Sequence, residues 1–150
     1  MTHCNDQLID QLLTQAEQEG RCLIPPSTAI RKALLRRIGS AIVSPMPGLF
    51  ARKTRWEELN RAQRHVEIVR ALAIQHPEWT FCSYSAACLL GLEVSWRHLN
   101  VAHVCSATKP SARPAARIQR HQIEPTATVN QAGISITPPI QTVTDCLLQT

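Results

Sequence analysis

The chain has 150 residues and a formal net charge of +5, with 44% hydrophobic but only 4% aromatic residues. This length suits one domain or two very small ones, whose core must be built chiefly from aliphatic side chains. The basic balance is compatible with a polyanion as partner. The first ten residues lack the basic and apolar regions of a signal peptide, and no apolar run approaches the roughly 18 residues of a membrane span. The sequence therefore predicts a cytoplasmic protein without a membrane partner.

The six cysteines are spread along the chain without a C-x-x-C pair. This spacing indicates neither a zinc knuckle nor the disulfide framework of a secreted protein. We expect them to be small, mostly buried apolar side chains in a reducing compartment. They are Cys4, Cys22, Cys82, Cys88, Cys105 and Cys146.

A first helix is predicted between a cap at Asn5 or Asp6 and a stop at Gly20. Its apolar residues keep to one face, as expected for a helix packed on a core. The exposed side carries Asp10, Glu17 and Glu19, and this acidic side should point away from any nucleic acid.

The stretch 21–56 contains eight of the sixteen Lys and Arg residues and no Asp or Glu. Ser27 or Thr28 can cap a helix within it, and Ile30, Leu34 and Ile38 form an apolar stripe at spacings of four. Strand-like runs at 41–43 and 49–51 follow, on either side of a turn rich in proline. The segment before this helix is too short for the usual first helix of a helix-turn-helix, so we expect an abridged DNA-binding unit.

A basic helix followed by a basic-tipped hairpin is the layout of a winged helix, in which the helix enters a major groove and the hairpin touches the adjoining backbone. The alternative is a solvated surface. A solvated surface normally mixes both signs of charge, so the absence of acids favours DNA. The residues expected to contact DNA, chiefly its phosphates, are Arg31, Lys32, Arg36 and Arg37 on the helix and Arg52, Lys53 and Arg55 beside the hairpin.

A capping box at Thr54 and Glu57 is predicted to open a long helix, which Asn60 and Arg61 are able to interrupt and which ends at His76 before Pro77. We place a domain boundary here. The predicted fold is α+β, with a winged-helix-like DNA-binding domain at 1–56 and a small mixed α/β domain at 57–150.

The second domain is predicted to contain short strands at 79–82, 100–105, 117–123 and 134–137, with a compact helix from Ser83 or Ser85 to Gly91. A last helix carries Ile140, Val143, Leu147 and Leu148 on one side. Apolar residues so close to the end predict a chain shortened at its C-terminus.

A second basic group either extends a DNA surface or keeps a strand soluble; its members are Lys109, Arg113, Arg117 and Arg120.

Residue patterns for catalysis are missing from the sequence. Ser85 lacks the G-x-S-x-G context of a nucleophile, glycine loops for phosphates are absent, and the few carboxylates do not form a magnesium-binding pattern. The nearest approach to a metal cluster is His98 and His103 with Cys105, a spacing that a strand also gives by chance. We therefore predict no enzyme, no cofactor and no metal site.

Three stretches, in order and spacing, resemble the AbiEi family, the antitoxin and transcriptional-repressor half of type IV toxin–antitoxin systems. One is a helix ending in L-x-R-R with a following strand and proline-glycine turn, at Leu34, Arg36, Arg37, Pro47, Gly48, Leu49, Phe50 and Ala51. Another is CSYSAACLLGL, at Ser85, Ala86, Ala87, Leu89, Gly91 and Leu92. The last combines a strand ending in H-V with T-x-x-x-T-V-x-D-x-L-like residues, at His103, Val104, Thr137, Thr142, Val143, Asp145 and Leu147.

The resemblance implies a regulator that binds operator DNA, represses its own operon and counteracts a nucleotidyltransferase-like toxin without a stable complex between the two proteins. A homodimer would match a palindromic operator. Two other interpretations stay open: a protein-interaction module whose basic face binds an acidic partner, and the remnant of an endonuclease-like protein without its catalytic domain.

Overall fold

The structure is a computed structural model that describes residues 2–107, 117–125 and 127–148. The chain divides into two compact units, Met1–Ala71 and Leu72–Thr150. Both units combine helices with small sheets, so the predicted α+β class is confirmed. No helix in these described ranges is long and apolar enough to cross a bilayer.

The first unit is built from helices around one antiparallel hairpin. Its elements are α1 (Thr2–Gln18), α2 (Thr28–Arg36), β1 (Ile42–Met46), β2 (Leu49–Arg52), α3 (Lys53–Glu58) and α4 (Arg61–Gln75), the last of which runs past the division. Its core is mainly aliphatic, as the composition predicts, although Trp56 is buried as well. One cluster of buried residues consists of Ile9, Leu13, Ala16, Leu23, Ile30, Ala33, Leu34, Ile42 and Phe50.

Helix α2 starts where the sequence predicted, because the Ser27 hydroxyl accepts a hydrogen bond from the Ile30 amide at 3.2 Å. Ile30 and Leu34 are buried as expected. The third member of the predicted stripe, Ile38, is 45% exposed. The prediction is wrong there because the helix ends at Arg36, and Ile38 then lies in a turn whose amides bond back to the carbonyl of Arg37.

The predicted hairpin forms, with a tighter turn than expected. Met46 pairs with Leu49, so the turn consists of Pro47 and Gly48, and Gly48 has a φ of 83° that suits glycine. The Ser44 hydroxyl lies 3.0 Å from the Met46 carbonyl and 2.9 Å from the Leu49 carbonyl, at an irregularity in the strand pairing.

The long helix predicted from Thr54 is interrupted at the place the sequence allowed. Thr54 lies inside α3, whose first turn has no side-chain cap, so the predicted capping box is wrong. A reciprocal cap starts α4 instead: the Gln63 amide donates to the Asn60 side chain at 2.8 Å, and the Asn60 amide donates to the Gln63 side chain at 2.9 Å. Helix α4 ends at Gln75, as Pro77 predicted.

The division between the units falls inside α4, whereas the sequence placed a boundary after Trp56. The first part of α4 belongs to the first unit for a physical reason. The Cys22 amide donates to the Glu67 carbonyl at 3.2 Å, and the Glu67 carboxylate binds Arg55. The boundary after Trp56 stays a prediction.

The second unit contains α5 (Ser83–Leu89), β3 (Ala102–Ser106), β4 (Ile118–Gln122), β5 (Val129–Gln131), β6 (Ile134–Ile136) and α6 (Pro139–Leu148). Strand β3 pairs in parallel with β4, and β5 pairs with β6 in antiparallel fashion. Fully buried Phe81 forms bridges to Val104 of β3 and Ile136 of β6, which joins the two pairs. Three of the four predicted strands are thus found near their expected positions, whereas the predicted strand at 79–82 is reduced to the bridges of Phe81.

Helix α6 is held through a polar side chain, and its apolar side faces outward. The Thr142 hydroxyl is buried, 2.7 Å from the Thr137 hydroxyl and 3.0 Å from the Pro138 carbonyl. The four apolar residues predicted to share one side of this helix are all exposed; they are Ile140, Val143, Leu147 and Leu148.

Candidate nucleic-acid interface

Six of the seven cations predicted to contact DNA form two groups in the structure, three that are exposed and three that bind carboxylates. Arg31, Lys32 and Arg36 are exposed on α2, on the side away from buried Ile30 and Leu34. Within the described parts of the chain, no carboxylate forms an ion pair with any of the three. Their charges are therefore available to a partner.

Lys53 stands apart from both groups. Its ammonium lies 3.5 Å from the Gly39 carbonyl, at the outer limit of a hydrogen bond, and the residue is partly exposed. This contact is weak enough to be exchanged for a phosphate.

Arg37 is bound within the first unit. Its guanidinium forms an ion pair with Asp6 and donates a hydrogen bond to the Ala33 carbonyl at 2.7 Å. The carbonyl contact also satisfies one of the acceptors left open at the end of α2.

Arg52 binds two carboxylates of α1. It lies 2.7 Å from Asp10 and 2.8 Å from Glu17, while its side chain is 28% exposed. The side of α1 expected to point away from nucleic acid thus supplies counter-ions to the basic segment. Asp6, Asp10 and Glu17 are four and seven residues apart, a spacing that places them near one face of a helix.

Among the arginines that bind carboxylates, Arg55 has the most buried partner. Both of its terminal nitrogens bind the Glu67 carboxylate, at 2.8 and 2.7 Å, in the two-pronged geometry that arginine favours. Glu67 is only 5% exposed. Hydrogen bonding to this carboxylate raises the pKa of Arg55 further, and the pair links α3 to α4.

An open cleft of about 340 Å³ lies among these pairs. Its apolar part comes from buried core residues, and its charged part is contributed by Asp6, Asp10, Arg37 and Arg52. Because these charges compensate one another, the cleft shows no preference for an anion.

The second predicted basic group is partly described. Lys109 and Arg113 lie outside the described residues. Arg117 is exposed, and the guanidinium of Arg120 lies 5.2 Å from the ring centre of Trp79, a cation–π contact. Arg120 therefore has a structural partner in the second unit.

Two histidines of the second unit form a hydrogen-bonded pair. His103 Nε2 lies 2.8 Å from the carbonyl oxygen of His98, which can only accept, so this nitrogen carries a proton. In a neutral His103 ring, Nδ1 then accepts from Nε2–H of His121, 2.9 Å away. No group of three metal-ligating side chains is found in the described portion of the chain.

We expect the second unit to lose stability as the pH falls below about 6.5. Burial lowers the pKa of His121, while a histidine in the unfolded chain has a pKa of about 6.5. The unfolded state then takes up a proton before the folded state does, and stability declines until the pH reaches the lowered pKa. Urea denaturation between about pH 7.5 and pH 5 would measure this decline. The variant H121Q should show a weaker pH dependence, and an unchanged dependence would contradict the assignment.

Comparison with protein families, with curated proteins and with solved structures gave no match to this chain.

Proposed function

We propose that the first unit binds double-stranded DNA through the exposed side of α2. The observation that carries the proposal is the set of three neighbouring cations, Arg31, Lys32 and Arg36, without a carboxylate partner in the described chain. Exposed cations that lack internal counter-ions gain most from neutralising phosphates, because each contact releases a condensed ion from the DNA.

The order of elements supports a winged-helix-like use of this unit. Helix α2 is followed directly by the β1–β2 hairpin, and Lys53 comes just after β2. In such an arrangement the helix contacts the groove and the hairpin side contacts the neighbouring backbone. The other three arginines then stabilise the unit through ion pairs. Arg37 binds Asp6, Arg52 binds Asp10 and Glu17, and Arg55 binds Glu67.

The biological role that fits this surface is a non-enzymatic regulator of the AbiEi type. Such a protein would repress its own operon and act as the antitoxin to a nucleotidyltransferase-like toxin, without a stable complex with it. The support is the order of the sequence motifs together with a basic helix that leads into a hairpin.

Salt-dependent binding tests the proposal. Four available cations predict that log affinity falls against log salt with a slope of about −3 to −4. Anisotropy of a fluorescent duplex covering the protein's own promoter, measured between about 50 and 200 mM salt, would give the slope. A scrambled duplex serves as the control. Binding that does not depend on salt would contradict the proposal.

A second candidate function is recognition of an acidic protein. Leu35 and Ile38 are 48% and 45% exposed beside the cations of α2, and an apolar flank next to positive charge suits an acidic amphipathic segment. A competition experiment with duplex DNA separates the two functions. If the surface binds DNA, an excess of unrelated duplex should displace the promoter duplex. If the surface is specific for a protein, neither duplex should bind at about 50 mM salt.

A further inference from the structure

Two cysteines of the second unit lie next to each other across two paired strands. The segment that contains Cys82 pairs with β3, since the Cys82 amide donates to the His103 carbonyl at 3.1 Å and the Cys105 amide donates to the Thr80 carbonyl at 2.8 Å. Cys82 and Cys105 therefore lie diagonally across two paired strands, on the same face. The bridge between Phe81 and Val104 fixes this register, so the two side chains are neighbours on that face.

The two thiols differ in access to solvent. Cys82 is fully buried, whereas Cys105 is half-buried. Hydrogen bonding with Cys82 lowers the pKa of Cys105, while the same interaction and burial raise the pKa of Cys82. An accessible thiol that ionises more readily is the one that an oxidant attacks first.

The remaining described cysteines lack this combination. Burial raises the pKa of Cys22, raises that of Cys88 to about 11, and raises that of Cys146.

We propose that Cys82 and Cys105 form a peroxide-sensitive dithiol that closes to an intramolecular disulfide. The Cys105 thiolate attacks one oxygen of hydrogen peroxide, which gives a sulfenic acid and hydroxide. The Cys82 sulfur then attacks the Cys105 sulfur and forms the S–S bond, and the sulfenic oxygen leaves as water with the Cys82 proton. The two thiols are oxidised by two electrons and one peroxide is reduced to two waters. This modification site is independent of the proposed DNA-binding function.

Mass spectrometry of the full chain tests the proposal. The native protein would be treated with increasing hydrogen peroxide, its remaining thiols alkylated after denaturation, and its peptides mapped. We expect a product that has lost two alkylatable thiols, with a peptide cross-link between Cys82 and Cys105 that a reducing agent reverses. A cross-link from either residue to Cys146, or no cross-link when Cys105 is oxidised, would overturn the proposal.

Single variants identify the order of the steps. C105S should stay unmodified at Cys82 at peroxide concentrations that convert the wild type, because the exposed nucleophile is gone. C82S should instead stop at an oxidised Cys105 without a cross-link. C88S is the matched control and should react like the wild type. Since Cys82 is fully buried, circular dichroism must first show that its variant is folded; the peptide map of the wild-type protein decides the proposal without that variant.

Discussion

Replacing Arg55 with alanine is expected to destabilise the first unit by about 2–3 kcal/mol. The change leaves the Glu67 carboxylate, only 5% exposed, without its counter-ion. Removing one partner of a buried ion pair typically costs about 3–5 kcal/mol, and the partial exposure of Arg55 reduces that figure. For a unit of this size the melting temperature should fall by roughly 10–20 °C.

Thermal denaturation with a matched control would check this expectation. Arg31 is exposed and lacks an ion pair in the described chain, so R31A should change stability by less than about 0.5 kcal/mol. Replacing both partners with apolar residues, as in R55M/E67L, should recover much of the loss because no charge remains buried. If R55A has the same melting temperature as the wild type, the ion pair does not stabilise the contact between α3 and α4.

The triple variant R31Q/K32Q/R36Q is expected to bind the promoter duplex about 10²–10³-fold more weakly at about 100 mM salt. Each lost phosphate contact removes about 0.9 from the slope of log affinity against log salt, so the slope should become shallower by nearly 3. Stability should change little, because the three side chains are exposed.

The control for this variant removes the same formal charge from exposed positions elsewhere. R61Q/R97Q/R117Q also lowers the net charge by three, and its affinity should fall by less than about tenfold if α2 makes the contacts. An equal loss in both triple variants would show that net charge alone governs binding. Unchanged affinity in the α2 variant would exclude this surface from DNA binding.

Local signals in the sequence predicted much of the fold. Ser27 marked the start of α2 and Pro77 the end of α4, because a cap and a proline act on the residues beside them. The hairpin was also found from its turn residues. The capping box at Thr54 was wrong because a better reciprocal cap exists at Asn60 and Gln63, and both patterns lie within a few residues of each other.

The stretch 21–56 alone does not reveal which of its arginines remain available to bind a partner. Arg37 and Arg52 find their carboxylates on α1, and Arg55 finds its carboxylate on α4. These partners are 12 to 42 residues away in the chain, so a charge pattern read over a local window cannot reveal them. The spacing of the acids on α1 is the one sequence signal that could have suggested a shared face.

The backbone pair of Leu23 and Phe50 has a consequence for hydrogen exchange. The Leu23 amide donates to the Phe50 carbonyl at 2.7 Å, the Phe50 amide donates back at 3.0 Å, and both residues are buried. Amide protons held this way exchange with deuterium only when the surrounding structure opens. This pair connects β2 with the segment that precedes α2. Exchange at these two amides should therefore report the opening of the whole first unit, whereas exchange at the ends of α2 should report local fraying.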